Sequence, residues 1–127
     1  MDRSREEAIT TYFRMWLTKD FSDLDDLFAS QCVYEECYGP TYSNLAEIKR
    51  WISDMVYRQT VSAWTIHEYF HAPHDTTVTW TFTSSEGDGF HTFDGVSIIH
   101  FTDSRRIDHV REFESTHERT YPYQETQ

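Results

Sequence analysis

The spacing of apolar residues changes near residue 60, and this change constrains the fold more than any other feature. In TTVTWTFTS, residues 76–84, three large apolar side chains alternate with threonines. A period of two predicts a strand with one buried and one solvated face, as in an antiparallel sheet. Three further stretches of strand composition are separated by short turn signals: VSAWTIHEYF, HTFDGVSIIHFTD and RIDHVREFES. We therefore expect four consecutive strands.

The chain before residue 60 has helical spacing instead. Apolar residues recur at i, i+3 and i+4 over about residues 4–18, which predicts an amphipathic helix. Ser22 is a plausible N-cap for a short second helix. Asn44 followed by Glu47 predicts a capping box at the start of a third helix.

A single strand is predicted between the second and third helices. Residues 31–38 have a strand composition, and the Gly-Pro pair that follows is a turn signal. Helices followed by a run of strands indicate an α+β fold rather than alternating βαβ units. We expect one domain over residues 1–127, with residues 118–127 as a C-terminal tail. Three N-terminal helices would pack on a strongly curved antiparallel sheet, forming a cone-shaped half-barrel that encloses a pocket.

The acidic balance of the chain limits its partners. Acids outnumber bases 22 to 11, which gives a formal net charge of −11. Nucleic acid and anionic membrane surfaces would be repelled, so neither is expected. The polar N-terminus lacks the apolar core of a signal peptide, and no run approaches the roughly 20 apolar residues that span a bilayer. We expect a cytoplasmic protein.

The two cysteines, Cys32 and Cys37, are not expected to pair with each other. In an extended segment their Cα atoms would lie about 16 Å apart, whereas a disulfide requires less than about 7 Å. Two reduced thiols suit the cytosol.

Two segments resemble a known superfamily. These are YFRMWLTKDFSDLDDLFASQCVYEECYGP near the start and FDGVSIIHFTDSRRIDHVREF near the end. Together with the order of elements, they are similar to nuclear transport factor 2-like proteins, and within that superfamily to SnoaL-like and ketosteroid-isomerase-like proteins. The resemblance covers nearly the whole chain. It implies a fold more than a reaction, because the family includes isomerases, cyclases, dehydratases and members of unknown reaction.

The resemblance also implies site residues. Ketosteroid isomerases use a tyrosine on the first helix and a protonated acid on a late strand as an oxyanion hole, and a carboxylate after the first strand moves the proton. These positions correspond here to Tyr12, Ile99 and Glu36. Ile99 cannot donate a hydrogen bond, so one of the three groups is missing.

The adjacent glutamates Glu35 and Glu36 should lie on opposite faces, because successive side chains of a strand alternate. The family register places Tyr34, Glu36 and Tyr38 toward the cavity, and Cys37 is then on the opposite face with Glu35. An apolar pocket would raise the pKa of Glu36 toward neutrality, as a general base requires. The alternative is a glutamate at the pocket rim in a salt bridge.

Glu112 is a second candidate carboxylate. The register of the last strand places Asp108, Val110 and Glu112 on the cavity side, with Ile107 opposite. Two close carboxylates would share a proton, which provides one acid and one base. The alternatives are that Glu112 pairs with an arginine or that a bulge shifts the register.

The other predicted wall residues are mostly apolar. Ser97 is the main neutral polar group expected to face a ligand, and Gly95 is more consistent with a bend or bulge than with a phosphate-binding loop. The other residues expected in the cavity wall are Phe93, Ile99 and Phe101 on the late strand, and Trp16, Trp80 and Phe82 earlier in the chain.

The histidines do not indicate a metal site. His67 and His71 on one strand would be about 13 Å apart, and no third ligand to accompany them or His74 is evident. We expect no metal and no cofactor. His100 and His109 should lie on the outer face of the sheet. In this family that face often forms a dimer interface, so we expect a homodimer whose association could depend on pH.

The leading hypothesis is a pocket for a hydrophobic small molecule, with cofactor-free isomerase, cyclase or dehydratase chemistry. Glu36 would transfer the proton, and Tyr12 or Ser97 would donate a hydrogen bond. The alternative is a non-catalytic ligand-binding or dimerisation module. The weakest hypothesis is a protein-interaction adaptor like nuclear transport factor 2 itself, because nothing in the sequence indicates a groove for a protein partner.

Overall fold

A computed structural model describes residues 2–124, with side chains from residue 5 onward. The elements, in chain order, are α1 Asp2–Thr18, α2 Leu24–Leu27, β1 Phe28–Glu35, β2 Thr41–Tyr42, α3 Leu45–Arg58, β3 Gln59–His71, β4 Asp75–Glu86, β5 Gly89–Phe101 and β6 Ile107–Thr116. The predicted order of helices and strands is confirmed. The two-residue β2 was not predicted.

The six strands form one curved, unclosed sheet in the order β2-β1-β6-β5-β4-β3. Strands β3 to β6 are consecutive antiparallel neighbours, as predicted. The first strand, however, pairs with β6 in parallel, so the sheet is mixed rather than antiparallel throughout. A parallel pair needs a long connection, and here α3 and the four strands β2 to β5 lie between β1 and β6.

The helices cover the concave face of the sheet. On α1, the apolar stripe of Ile9, Tyr12, Phe13 and Trp16 is buried against β3 and the first strand. On α3, Ile48 and Ile52 are buried. The core is therefore rich in aromatic rings that meet edge to face, an arrangement that favours their quadrupoles.

The caps of the two later helices differ from each other. Asn44 accepts a 2.9 Å hydrogen bond from the Glu47 backbone N–H, as the capping box predicts. The Glu47 carboxylate reaches back to the N–H of Ser43 rather than to that of Asn44. The N-cap predicted at Ser22 is wrong: α2 begins after Asp23, and the Ser22 hydroxyl donates to Asp20 instead.

The first strand begins three residues earlier than predicted and ends at Glu35. The next residues form a turn in which the Glu36 N–H donates to Pro40 O and the Gly39 N–H donates to Glu36 O. Gly39 has φ +111°, a conformation that L side chains rarely adopt. Strand alternation therefore does not apply to Cys37 and Tyr38.

A bulge in β6 changes the predicted register at its start. His100 pairs with His109 and Phe101 with Ile107, so Asp108 is the extra residue. Ile107 is fully buried, not outward, and Asp108 lies 2.5 Å from His100 on the outer face instead of facing the cavity. Beyond the bulge, Val110 and Glu112 keep the predicted inward orientation.

The C-terminal tail has no helix or strand from His117 to Gln124. Tyr121 and Tyr123 are exposed and do not dock on the body. The last three residues of the predicted tail lie outside the described residues. None of the described helices is long and apolar enough to cross a membrane.

Candidate functional site

A small cavity lies between α1, α3 and the concave face of the sheet. Its volume is about 50 Å³, which is room for a few water molecules. It opens into a groove of about 680 Å³ that shares Glu36, Tyr38, Met55, Gln59 and Phe93 with it. The cavity is lined by Trp16, Tyr34, Glu36, Cys37, Tyr38, Trp51, Met55, Gln59, Trp64, Trp80, Phe82, Phe93 and Glu112.

Most of the predicted site residues line this cavity. They are Glu36, Glu112, Trp16, Tyr34, Tyr38, Trp80 and Phe82. The remaining predicted residues are buried in the core and are not among the lining residues: Tyr12, Ser97, Ile99, Phe101 and Val110.

Trp80 explains why Ser97 does not reach the cavity. The Trp80 indole donates a 2.9 Å hydrogen bond from Nε1 to Ser97 Oγ. The same ring lies across Gly95, where a Cβ would be within 2.6 Å of Trp80 Cζ2 and Cζ3. Gly95 thus provides space for an aromatic ring rather than a bulge, since β4 and β5 pair without interruption there.

Several residues that line the cavity were not predicted from the sequence. Trp51 and Met55 are one helical turn apart on α3, and that spacing could have placed both on one face. Trp64 was not predicted because the pairing of β3 with β4 has two irregularities, and the residues between them lie on a different face than strict alternation implies. Cys37 was assigned to the opposite face, but it lies in the turn and lines the cavity.

A chain of hydrogen bonds connects α1 to the floor of the cavity. The buried Tyr12 hydroxyl donates to the Tyr34 hydroxyl at 2.8 Å, and Tyr34 donates to Glu112 Oε2 at 2.5 Å. Burial raises the pKa of both phenols well above their ordinary value, so both keep their protons.

Burial also raises the pKa of Glu112 to about 8. The hydrogen bond from Tyr34 opposes this shift, because it favours the ionised carboxylate, and the negative charge of Glu36 reinforces it. Glu112 is therefore mostly protonated at neutral pH. It can donate a proton to a molecule in the cavity.

Glu36 lies where the cavity meets the groove. Burial raises the pKa of its carboxyl group, and a 2.9 Å hydrogen bond from the Tyr42 hydroxyl opposes the shift. Within the described residues Glu36 forms no ion pair, so the salt-bridge alternative finds no support there. Its neighbour Glu35 points to the outer face, 2.5 Å from His109.

Polar groups on the outer face pair with each other rather than forming a metal site. His109 lies beside Glu35, and His100 lies beside Asp108. In the part of the chain that the structure describes, no three histidine, cysteine or acidic side chains are grouped so that they could hold a metal ion.

Comparisons with known proteins agree with this architecture. An epoxide hydrolase from M. tuberculosis described as LEH-like has a TM-score of 0.79 at 16% identity, covering 89% of this chain and 84% of that chain. An NTF-2 like protein of unknown function from Burkholderia xenovorans LB400 has a TM-score of 0.76 at 11% identity, with coverages of 96% and 91%.

A third solved structure has a bound small molecule. A protein from Catenulispora acidiphila DSM 44928 with a ketosteroid isomerase-like fold, in complex with trimethylamine, has a TM-score of 0.73 at 17% identity and covers 84% of each chain. At these identities the structures establish the fold alone.

Sequence comparison gives a family. No curated protein matches the chain. The family described as SnoaL-like domain matches residues 9–109, a segment that runs from α1 into β6 and includes most of the cavity wall. The chain therefore belongs to the SnoaL-like domain family.

Proposed function

We propose that the cavity binds part of an apolar small molecule and that Glu36 and Glu112 exchange protons with it without a cofactor. The chemistry would be that of an isomerase, cyclase or dehydratase. One observation carries this proposal: two carboxyl groups with raised pKa values line one cavity walled by aromatic rings. Pairs of carboxyl groups tuned by their surroundings can divide the roles of acid and base.

The two glutamates have different roles in this proposal. Glu112 is the acid, because its pKa of about 8 keeps it protonated at neutral pH. Glu36 is the base, because the hydrogen bond from Tyr42 stabilises its ionised form. Tyr12 is a positioning residue: its hydroxyl donates to Tyr34 and acts on Glu112 through that contact.

The size and charge of the site limit the ligand. A cavity of about 50 Å³ admits only a small part of a molecule, so the remainder would occupy the groove. Among the residues whose side chains are described, no basic one lines the cavity, and Arg58 lies in the groove beside Glu86. A neutral or cationic ligand is therefore favoured over an anion.

The alternative is a non-catalytic site for a small amine. Aromatic rings with nearby carboxylates attract ammonium groups, and trimethylamine is bound in the Catenulispora protein. The narrowness of the cavity favours this alternative over turnover of a large substrate.

We also propose that the protein acts in the cytoplasm as a homodimer formed through the outer sheet face. Phe113 on β6 and Phe70 on β3 are each about half exposed, and burial of either ring against a second copy would remove apolar surface from water. The two free cysteines suit a reducing compartment. Sedimentation of the wild type and of Phe113→Glu tests the dimer: a monomeric wild type contradicts it.

Deuterium exchange tests the catalytic proposal without knowledge of the natural substrate. Cyclohexanone in D₂O is followed by NMR, and we expect the protein to accelerate exchange of its α-protons. Glu36→Gln should abolish the acceleration. Glu35→Gln is the matched control, because Glu35 lies on the opposite face, and it should retain exchange. Equal exchange by the wild type and Glu36→Gln would refute the role of Glu36.

A further inference from the structure

Two indole N–H groups at the cavity have no hydrogen-bond partner. The Nε1 atoms of Trp16 and Trp64 are buried, and neither has a partner within hydrogen-bonding distance among the residues that the structure describes. The Trp16 indole is nevertheless near enough to the Tyr12 hydroxyl to oppose the rise in the pKa of that phenol, so Trp64 is the better isolated of the two donors. Both tryptophans line the cavity. Buried polar groups are almost always paired, so two such donors in the lining of one cavity require an explanation.

The other buried donors around the cavity are already used. Tyr12 donates to Tyr34, and Tyr34 donates to Glu112. The Trp80 indole donates to Ser97 Oγ. At the mouth, the Tyr42 hydroxyl donates to Glu36. A ligand atom that accepts a hydrogen bond inside the cavity therefore has, besides the protonated Glu112 carboxyl group, the two indoles as its available buried donors.

The indole rings are held in place by their neighbours. Trp64 stacks on Phe13, with centroids 3.8 Å apart and planes 6° apart, and Phe82 meets it edge to face. The ring of Trp16 packs between Phe21 and Trp51. Donors fixed by packing lose little freedom when a ligand binds, which is the property of a preorganised site.

We propose that the indole N–H groups of Trp64 and Trp16 bind an acceptor oxygen of the ligand, and that the ligand is a neutral apolar molecule with a carbonyl-type oxygen. The inference rests on the proposed function of the cavity as a ligand site, and it identifies the groups that recognise the ligand. Glu36 is an acceptor once ionised and would repel a carbonyl oxygen. An ammonium ligand has no lone pair to offer, so it would leave both indole donors unpaired.

Three probes of similar size separate these ligand classes. Cyclohexanone carries the acceptor, methylenecyclohexane replaces the oxygen with a methylene group, and tetramethylammonium chloride carries the charge. The protein is labelled with ¹⁵N-tryptophan, and its four indole signals are assigned with single Trp→Phe variants. Each probe is then titrated while the indole N–H signals are observed.

We expect cyclohexanone to move the indole proton signals of Trp64 and Trp16 downfield in a saturable way. The Trp80 signal should not move downfield, because its N–H is already bonded to Ser97. Methylenecyclohexane should bind more weakly and give no downfield shift. Saturable cyclohexanone binding without these shifts overturns the inference, as does tighter binding of tetramethylammonium.

An isosteric replacement tests the donor without removing the ring. β-(3-Benzothienyl)alanine at position 64 retains the shape of tryptophan but lacks the N–H. We expect it to weaken cyclohexanone binding about two- to tenfold and to leave methylenecyclohexane binding unchanged. The same replacement at position 80 is the control and should leave cyclohexanone binding within twofold. Equal affinities for cyclohexanone with and without the Trp64 N–H would refute its role.

Failure of this inference is distinguishable from failure of the proposed function. Deuterium exchange that depends on Glu36, with unshifted indole signals, overturns the donor assignment alone. Shifted indole signals without exchange overturn the catalytic role and leave the recognition element intact. No saturable binding of cyclohexanone overturns both.

Discussion

The Tyr34 hydroxyl donates a 2.5 Å hydrogen bond to Glu112 Oε2. This contact joins the first strand to the last across the parallel pair of the sheet, and Tyr12 of α1 extends it by a further 2.8 Å hydrogen bond. The bond is charge-assisted only when Glu112 is ionised, so its strength depends on the protonation of Glu112. The buried hydroxyl groups of Tyr12 and Tyr34 thus form a hydrogen-bonded chain that ends at the carboxyl group that would act as the acid.

Replacement of Tyr34 should therefore raise the pKa of Glu112 further. In Tyr34→Phe the hydrogen bond that favours the ionised carboxylate is lost while the burial remains, so the pKa should lie above its wild-type value of about 8. Titration of ¹³C-labelled glutamate carboxyl groups by NMR measures the change.

Tyr42→Phe is the matched control for this experiment. It removes a hydroxyl that donates to Glu36 rather than to Glu112. It should raise the pKa of Glu36 and leave Glu112 nearly unchanged. A fall in the pKa of Glu112 in Tyr34→Phe would contradict the assignment of the hydrogen bond.

Glu112 should also make the stability depend on pH. Its pKa is about 8 in the folded protein and about 4.3 in an unfolded chain. The folded state therefore holds the proton more tightly, and stability falls as the pH rises from about 4.3 to 8, by at most about 1.4 kcal/mol per pH unit. Above pH 8 the stabilisation that the bound proton provides is lost completely.

The variant Glu112→Gln tests this pH dependence. Glutamine resembles the protonated side chain at every pH, so the variant should gain stability relative to the wild type from pH 5 to pH 9, by a few kcal/mol in total. Urea unfolding at pH 5, 7 and 9 measures the difference. Glu118→Gln, at an exposed position, is the control and should show no such trend. A pH-independent difference for Glu112→Gln would show that its pKa is ordinary.

The sequence predicted the order of elements well because period and turn signals are local. The alternation of Val78, Trp80 and Phe82 was sufficient to define β4 and its buried face. The capping pair Asn44 and Glu47 placed the start of α3. The parallel pairing of β1 with β6 was not predictable in this way, since it depends on which distant strands meet.

The site was less predictable because it depends on single-residue shifts. A bulge at Asp108 moved that residue to the outer face, yet Glu112 remained inward because the later register was counted correctly. The inward position of Trp64 depends on irregularities in β3 that no local signal marks. Ser97 was placed on the correct face but is covered by the ring of Trp80.

The cap of α3 gives a prediction about stability. Asn44→Ala removes the acceptor for the Glu47 N–H and should destabilise the protein by about 1 kcal/mol, as loss of an N-cap usually does. Asn44→Asp retains an acceptor oxygen and should cost much less. Urea unfolding compares the three proteins. Equal destabilisation by both substitutions would mean that the amide group, and not the acceptor oxygen, is required.

Gly95 and Trp80 provide the last prediction. A Cβ at position 95 would overlap the Trp80 ring, with Cζ2 and Cζ3 only 2.6 Å away. The ring is buried among Trp64, Phe82 and Phe93 and cannot move aside cheaply. Gly95→Ala should therefore destabilise the protein by about 3 kcal/mol, the upper part of the range for overpacked cores.

A double-mutant cycle separates this overlap from other effects of alanine at position 95. Trp80→Phe removes the far ring atoms that cause the overlap, although it also costs stability through the lost packing and the lost bond to Ser97. In the Trp80→Phe background, Gly95→Ala should cost at least 1 kcal/mol less than in the wild type. The overlap requires the six-membered part of the indole. If Gly95→Ala costs the same in both backgrounds, Gly95 is needed for its backbone conformation and not for the space it leaves to Trp80.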